Sequence, residues 1–263
     1  MTVAEIPFSA MGWMYALLLL PLGVCFFLQL GLIRETLIAL ARMSVQLLLV
    51  GLYLKYLFEI NQPLLSLLWL VVMIWVANGN ILGRAGLPAR CFFVRSFFCI
   101  ALTTLLVSGW FIGMVIRPEP FYDARYLIPV TGMILGNCMN GNVLSLERFY
   151  SGLRENEEQY LTRLMLGATL HEAVRPWMRT ALRTALSPSL ATMAAMGIVS
   201  LPGMMTGQIL GGSLPLTAIK YQIGIMICIY SALVVSAWLN LRLSLPVAFD
   251  CFNRLRSERM GHK

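Results

Sequence analysis

Segment after segment between Ala10 and Leu243 stays mainly apolar for about 20 residues, the length a helix needs to cross hydrocarbon. That pattern leaves few folds open. No water reaches the backbone inside a bilayer, so each run must close its own hydrogen bonds, as a helix does. Charged residues make up 12% of the 263, whereas soluble domains carry about 25%. Mean hydropathy is +0.76. The expected class is an all-α integral membrane protein, one transmembrane domain over residues 1–263, with little mass outside the bilayer. The formal net charge of +8 then reads as orientation charge, not as a nucleic-acid signal.

About seven spans are expected. They run near Ala10–Ile33, Thr36–Phe58, Pro63–Leu82, Ser96–Ile116, Arg125–Ser145, Pro188–Leu210 and Lys220–Leu243. Charge placement supports that number. Arg34, the Arg84/Arg90/Arg95 group, the residues from Arg148 to Arg183, and the tail of Arg254, Arg256, Arg259 and Lys263 all fall on one side of seven spans. The other side holds Arg117 and Arg125, offset by Glu119 and Asp123, with Lys55 and Lys220 near span ends. The positive-inside rule puts the N-terminus outside and the C-terminus in the cytosol. The first ten residues lack Lys and Arg and make a poor signal peptide.

The longest polar stretch lies between spans five and six, in a cytosolic segment of about residues 150–187. From Glu155 to Ser187 it reads as helix, glycine break, short helix, proline break, helix. Leu161, Leu164, Met165 and Ala168 recur at helical spacing. Gly167 stops that helix. Thr169 and Glu172 have the spacing of a capping box, which starts the next one. Pro176 is expected to close this short helix and open another. Arg175, Arg179 and Arg183 form a basic stripe one turn apart. A short helix held against the cytosolic face suits docking to a soluble partner. An amphipathic linker lying on lipid headgroups has the same pattern.

Three spans carry polar or small residues with more than one reading. In span two, Arg42 and Lys55 can snorkel to opposite interfaces, while Gln46 sits deeper and needs a partner in the bundle. In span five, Gly132 and Gly136 are four apart and allow a neighbouring helix close. Met133, Asn137 and Asn140 share a face, flanked by Met139. They are either interhelical glue or the lining of a transport path. Span six ends in GIVSLPGMMTGQILGG, where Gly203, Gly207 and Gly211 repeat every fourth residue beside Pro202. That is either a tight subunit seam or a broken helix. Met204 and Met205 are soft donors, and also ordinary gap fillers.

Several chemistries are not indicated. No phosphate-binding loop with the G-x-x-x-x-G-K-[ST] pattern occurs, so ATP hydrolysis is not expected in this chain. His171 and His262 are the two histidines, and neither has a nucleophile or metal-binding companion in its own segment. The six cysteines are scattered without a C-x-x-C pair, mostly in apolar runs, so a disulfide framework is not expected. No cofactor is expected in the chain.

Two resemblances bear on function. The run Leu166-Gly167-Ala168-Thr169 resembles the coupling-loop core of ABC transporter permeases, in which the helix after the glycine enters a cleft on the ATPase subunit. Importers of that kind usually carry Glu-Ala-Ala about six residues earlier; Leu161 stands there instead. ARMSVQLLLVGLYLKYLF, IPVTGMILGNCMNG and GIVSLPGMMTGQILGGSLPLTAIKYQI resemble signature segments of the FetB family of ABC permeases, and with LGAT they cover Ala41 to Ile223. The resemblance implies a bacterial inner-membrane permease, a homodimer, paired with a separate ATPase that holds ATP and Mg. It implies iron export by alternating access. It assigns ATPase coupling to Leu166, Gly167, Ala168, Thr169, Glu172 and Arg175. The candidate path is Gln46, Met133, Asn137, Asn140, Met204 and Met205. Plant relatives of that family are linked to aluminium tolerance, where the cargo may be a sugar nucleotide. An importer permease and a non-transporting membrane scaffold are the alternatives.

Overall fold

The computed structural model describes residues 7–250 and 252–255, without the side chains at 8, 9 and 11. Cys251 and the tail residues Arg256, Arg259, His262 and Lys263 lie outside the described residues, as do the first six positions. The described chain is helical. Its helices are α1 (Phe8–Ala16), α2 (Leu19–Phe27), α3 (Ile33–Ile60), α4 (Pro63–Arg84), α5 (Ala89–Trp110), α6 (Ala124–Glu155), α7 (Glu157–Met165), α8 (Leu170–Ala195), α9 (Gly203–Leu210) and α10 (Pro215–Ala248). A π-helical turn, Phe111–Ile116, extends α5. Residues up to Ile60 with Leu210–Gly212 form one compact unit, and the rest form a second.

Among the described residues, four helices are long and apolar enough to cross a membrane: α3, α4, α5 with its π-helical turn, and α10. The chain is a multi-pass membrane protein. Three of the seven expected spans take a different form. The first is two short helices, α1 and α2, not one. The fifth is a long helix, α6, whose Asn137, Asn140, Asn142, Glu147 and Arg148 make it less apolar than a simple span. The sixth is not one helix over 188–210: α8 stops at Ala195, and α9 begins at Gly203. Between them Gly197 takes φ +89°, and its amide donates to the Ser200 carbonyl at 2.9 Å. A left-handed residue of that kind ends a helix, and α8 stops here.

Local chemistry sets the helix starts in the second unit. Pro63 and Pro215 open α4 and α10 at positions whose amide has no helical partner anyway. Asp123 caps α6 by accepting from the Arg125 amide at 3.0 Å. Gly86, at φ +69°, turns the chain after α4.

Cross-helix contacts establish direction. Asn142 meets Ser236 and Tyr150 meets Ser244, so α6 and α10 run parallel. Ser96 meets Asn240 and the Arg95 guanidinium reaches the Leu243 carbonyl, so α5 runs against α10. Asn78 donates to the Phe93 carbonyl while Trp75 packs on Phe97, so α4 runs against α5. Two apolar clusters fill the unit. One joins α4, α5, α6, α8 and the end of α10 around Ile81, Ile100, Leu146, Phe149 and Tyr160. The other joins the π-helical turn, α6 and α10 around Phe111, Ile134 and Ile229.

Glycines permit two of these contacts. A Cβ at Gly141 would overlap Cδ1 of Leu233, and one at Gly224 would come 2.6 Å from Cε2 of Phe111. Gly132 is close to Met73 Cε, 3.2 Å from where its Cβ would stand. Gly136, Gly203 and Gly207 have no neighbour within 4 Å in this chain, and a subunit seam at the last two would involve a second copy.

At 1.5 Å per residue α6 and α10 are roughly 48 and 51 Å long, against about 30 Å of hydrocarbon. Beyond the C-terminal end of α6, Tyr160 of α7 is fully buried. Its ring packs on Trp177 and Phe249, and its hydroxyl donates to the Asn253 carbonyl at 2.6 Å. Burial, with the Asp250 carboxylate adding, pushes that hydroxyl up to about 12.

Candidate functional site

The polar segment begins with α7 and turns at Gly167, which has φ +89°. The Gly167 amide donates to the Leu164 carbonyl at 3.0 Å, and the Ala168 amide to Arg163 at 3.1 Å, which satisfies the last carbonyls of α7. Met165 and Leu166 are 80% and 82% exposed at this turn. They put two large apolar side chains on the surface of an otherwise polar segment.

Thr169 then opens α8 with a complete capping box. Its amide and hydroxyl both donate to Glu172 Oε2, at 2.9 and 2.7 Å. The Glu172 amide donates back to the Thr169 hydroxyl at 3.4 Å. The Thr169 hydroxyl first, then its amide, with Arg175 adding, holds the Glu172 carboxyl below the usual carboxylate range. Leu166, Gly167, Thr169, Glu172 and Arg175 are thus clustered and exposed, while Ala168 packs half-buried on the first cluster.

Pro176 does not end this helix. α8 runs unbroken from Leu170 to Ala195, with Pro176 and Pro188 both inside it. An interior proline costs about 3 kcal/mol through its missing donor and its ring clash. Burial on both sides of the ring opposes that cost: Ala173, Val174, Ala181 and Ala185 are all buried. Trp177 adds a close contact, with Cδ1 standing 3.3 Å from where a Cβ on Gly152 would be. The expected short docking helix is therefore the first two turns of a long one.

The far end of α8 forms a wall of a cleft. Asn137, Asn140, Gly141 and Leu144 of α6 face Ala185, Pro188, Ser189 and Thr192 of α8, with Leu233 of α10 between them, around about 210 Å³. Asn137 uses its amide on the Met133 carbonyl at 2.8 Å, within its own helix. Asn140 accepts from Arg84 Nη1 at 3.3 Å. The two amides expected to share a face do line one space.

The other candidate path residues are elsewhere. Met133 and Met204 pack on the second apolar cluster, and Met205 is half-buried. Gln46 lies on α3, in the first unit, beside Arg42 and Met43. Among the described residues no three His, Cys, Asp or Glu side chains converge. Cys25, Cys91, Cys99, Cys138 and Cys228 are free thiols.

Residue reasoning missed the most connected polar group. Asn142, fully buried, donates to the Cys138 carbonyl at 2.8 Å and to Ser236 at 2.9 Å. Asn240 donates to Asn142 Oδ1 at 2.9 Å and to Ser96 at 3.1 Å. Cys99 donates to the Ser236 carbonyl at 3.3 Å. This network ties α5, α6 and α10 together directly behind the cleft. The available signal was Asn142, the third amide in its run, and Asn240, set in an apolar stretch of α10.

The chain matches the uncharacterised protein family UPF0014 over residues 8–249. A UPF0014 membrane protein of Synechocystis is 36% identical over 225 residues, covering 86% of this chain and 87% of the relative. A probable iron export permease protein of Escherichia coli, FetB, is 33% identical over 201 residues, 74% of each chain. Protein ALUMINUM SENSITIVE 3 of Arabidopsis thaliana is 31% identical over 221 residues, covering 84% of this chain and 80% of the relative. No solved structure matches.

Proposed function

The chain belongs to the UPF0014 family, and from that premise we propose that it is the membrane-spanning permease subunit of an ABC transporter. A separate ATPase subunit, with its own ATP and Mg, docks on the exposed turn around Leu166–Arg175. The cargo crosses beside Asn137 and Asn140, iron or another metal being the first candidate, and it leaves the cell by alternating access. The permease works as a homodimer in a bacterial inner membrane, N-terminus outside and C-terminus cytosolic. The reading keeps seven crossings, with α1 and α2 together as the first, α6 as the fifth and α8 with α9 as the sixth.

One observation carries this reading: the capped, exposed start of α8 and the cleft wall at Pro188–Thr192 belong to one unbroken helix. A push at one end is felt at the other. The relative named as a probable iron export permease supports the transport class.

The cleft also favours a particular form of cargo. It offers amides, hydroxyls and apolar groups, and Arg84 stands at Asn140. A bare ferric ion needs hard oxygen donors, and a guanidinium repels any free cation. A chelated metal or another anionic species suits the cleft better. A sugar nucleotide is the second reading on the same ground.

The experiment is ATP-dependent iron accumulation in inside-out vesicles holding the chain and its ATPase. Accumulation of iron, free or chelated, is expected. ATPase stimulation without it would keep the transporter and reject that cargo. Gly167→Pro is expected to insert normally yet abolish ATPase stimulation, because proline is locked near φ −65° while this turn uses φ +89°. Unchanged stimulation would reject the docking assignment.

A further inference from the structure

A groove of about 850 Å³ opens between α7, α8 and α10, separate from the Asn137–Thr192 cleft. Arg163, Arg175 and Arg179 supply three positive charges, and Glu172 one negative. Met178, Leu182, Pro176 and Trp238 supply an apolar wall. The guanidinium of Arg163 lies 5.6 Å from the Trp177 ring, and that of Arg242 lies 5.5 Å from the Trp238 ring. Stacking of this kind holds a guanidinium flat while leaving its edge free for an anion.

The groove is charged at one end and apolar at the other. Trp238 is 41% exposed on α10, a helix long and apolar enough to cross a membrane. It stands about one turn before Arg242, close to the expected end of that span at Leu243. Val235, one turn before Trp238 on α10, is 47% exposed, so the apolar wall continues along that side of the helix. Tryptophan favours this depth, at the boundary between headgroups and chains. A soluble acidic protein could reach the arginines but not the apolar wall below them. An anionic lipid reaches both. Basic pockets between helices on the cytoplasmic side bind anionic headgroups.

We propose that this groove is a binding site for one acidic phospholipid. The headgroup phosphate lies among Arg163, Arg175 and Arg179, and an acyl chain lies along Met178, Leu182 and Trp238. The site borders the capping box through Glu172 and Arg175, so an occupied groove braces the start of α8.

Binding of dioctanoyl phosphatidylglycerol to the purified full-length chain in detergent tests this, read by native mass spectrometry with dioctanoyl phosphatidylcholine and glycerol 3-phosphate as comparisons. Saturable binding of phosphatidylglycerol, one per chain, is expected, tighter than either comparison. Arg163→Gln and Arg179→Gln should each weaken it about fivefold. Trp238→Leu should weaken phosphatidylglycerol but not glycerol 3-phosphate. Arg179→Lys, which keeps the charge, guards against loss of fold and should retain most of the affinity. Equal binding of phosphatidylcholine, or equal binding of glycerol 3-phosphate, would overturn the proposal. So would an unchanged lipid affinity in Arg163→Gln/Arg179→Gln, and if that variant also lost capture of the ATPase subunit, the groove would be a protein-docking surface.

Discussion

Arg84 Nη1 donates to Oδ1 of Asn140 at 3.3 Å, joining the last turn of α4 to the cleft face of α6. Both side chains are exposed, so the contact adds little to stability. Its weight is electrostatic, a fixed positive charge at the mouth of the candidate path.

Arg84→Gln should therefore keep the fold, with unfolding free energy changed by no more than about 0.5 kcal/mol. If the cargo is anionic or chelated, transport in inside-out vesicles should fall severalfold. Transport of a bare cation would instead rise. The two outcomes separate the cargo classes, with thermal unfolding in detergent as the control.

Gly141→Ala decides between two opposed effects. Alanine is favoured over glycine in a helix interior by about 1 kcal/mol. Here a Cβ would overlap Leu233 Cδ1, and overpacking costs about 1–3 kcal/mol. Net destabilisation is expected. Adding Leu233→Ala should remove the clash, so Gly141→Ala should cost less in the Leu233→Ala background than in the native chain. Denaturation of the four proteins in one detergent measures the coupling.

Asn142→Leu should destabilise by about 1–3 kcal/mol. It leaves Asn240 without the Oδ1 acceptor and Ser236 without a buried donor. Replacing Asn142, Asn240 and Ser236 together with apolar residues should cost less than the single changes summed, because no polar group is then stranded. Additive losses would mean the network is not one unit.

Tyr160 makes the docking of α7 sensitive to alkali. A tyrosine in the unfolded chain titrates near 10, and in place its hydroxyl is pushed up to about 12. The docked state prefers the neutral phenol. Its stabilising contribution is fully present below pH about 10 and is lost as pH rises through about 12. Protease cleavage after Arg163 of α7 should increase over that window in the native chain. Tyr160→Phe cannot ionise, and should show a raised but flat cleavage rate, having lost the bond to the Asn253 carbonyl.

Much of this was legible in the residues. The cap at Thr169 and Glu172, the break at Gly167 and the starts at Pro63 and Pro215 depend on neighbours in sequence, and local rules find them. The pairing of Asn137 with Asn140 also follows from one helix face. Continuity of α8 through Pro176 does not, because it rests on packing of Ala173, Val174 and Ala181 against other helices. The Asn142–Asn240 bond joins residues 98 apart, and only the register of α6 on α10 brings them together.

The unbroken α8 has a mechanical consequence. Leu170 and Thr192 are separated by roughly 33 Å of helix at 1.5 Å per residue, so a tilt of about 10° at the capped end carries the far end through about 6 Å. The helix continues through both Pro176 and Pro188 on the way, with no break at either. A helix broken at Pro176 would dissipate such a tilt within two turns. Kept rigid, α8 is a lever, and the chain has set its long arm against the cleft.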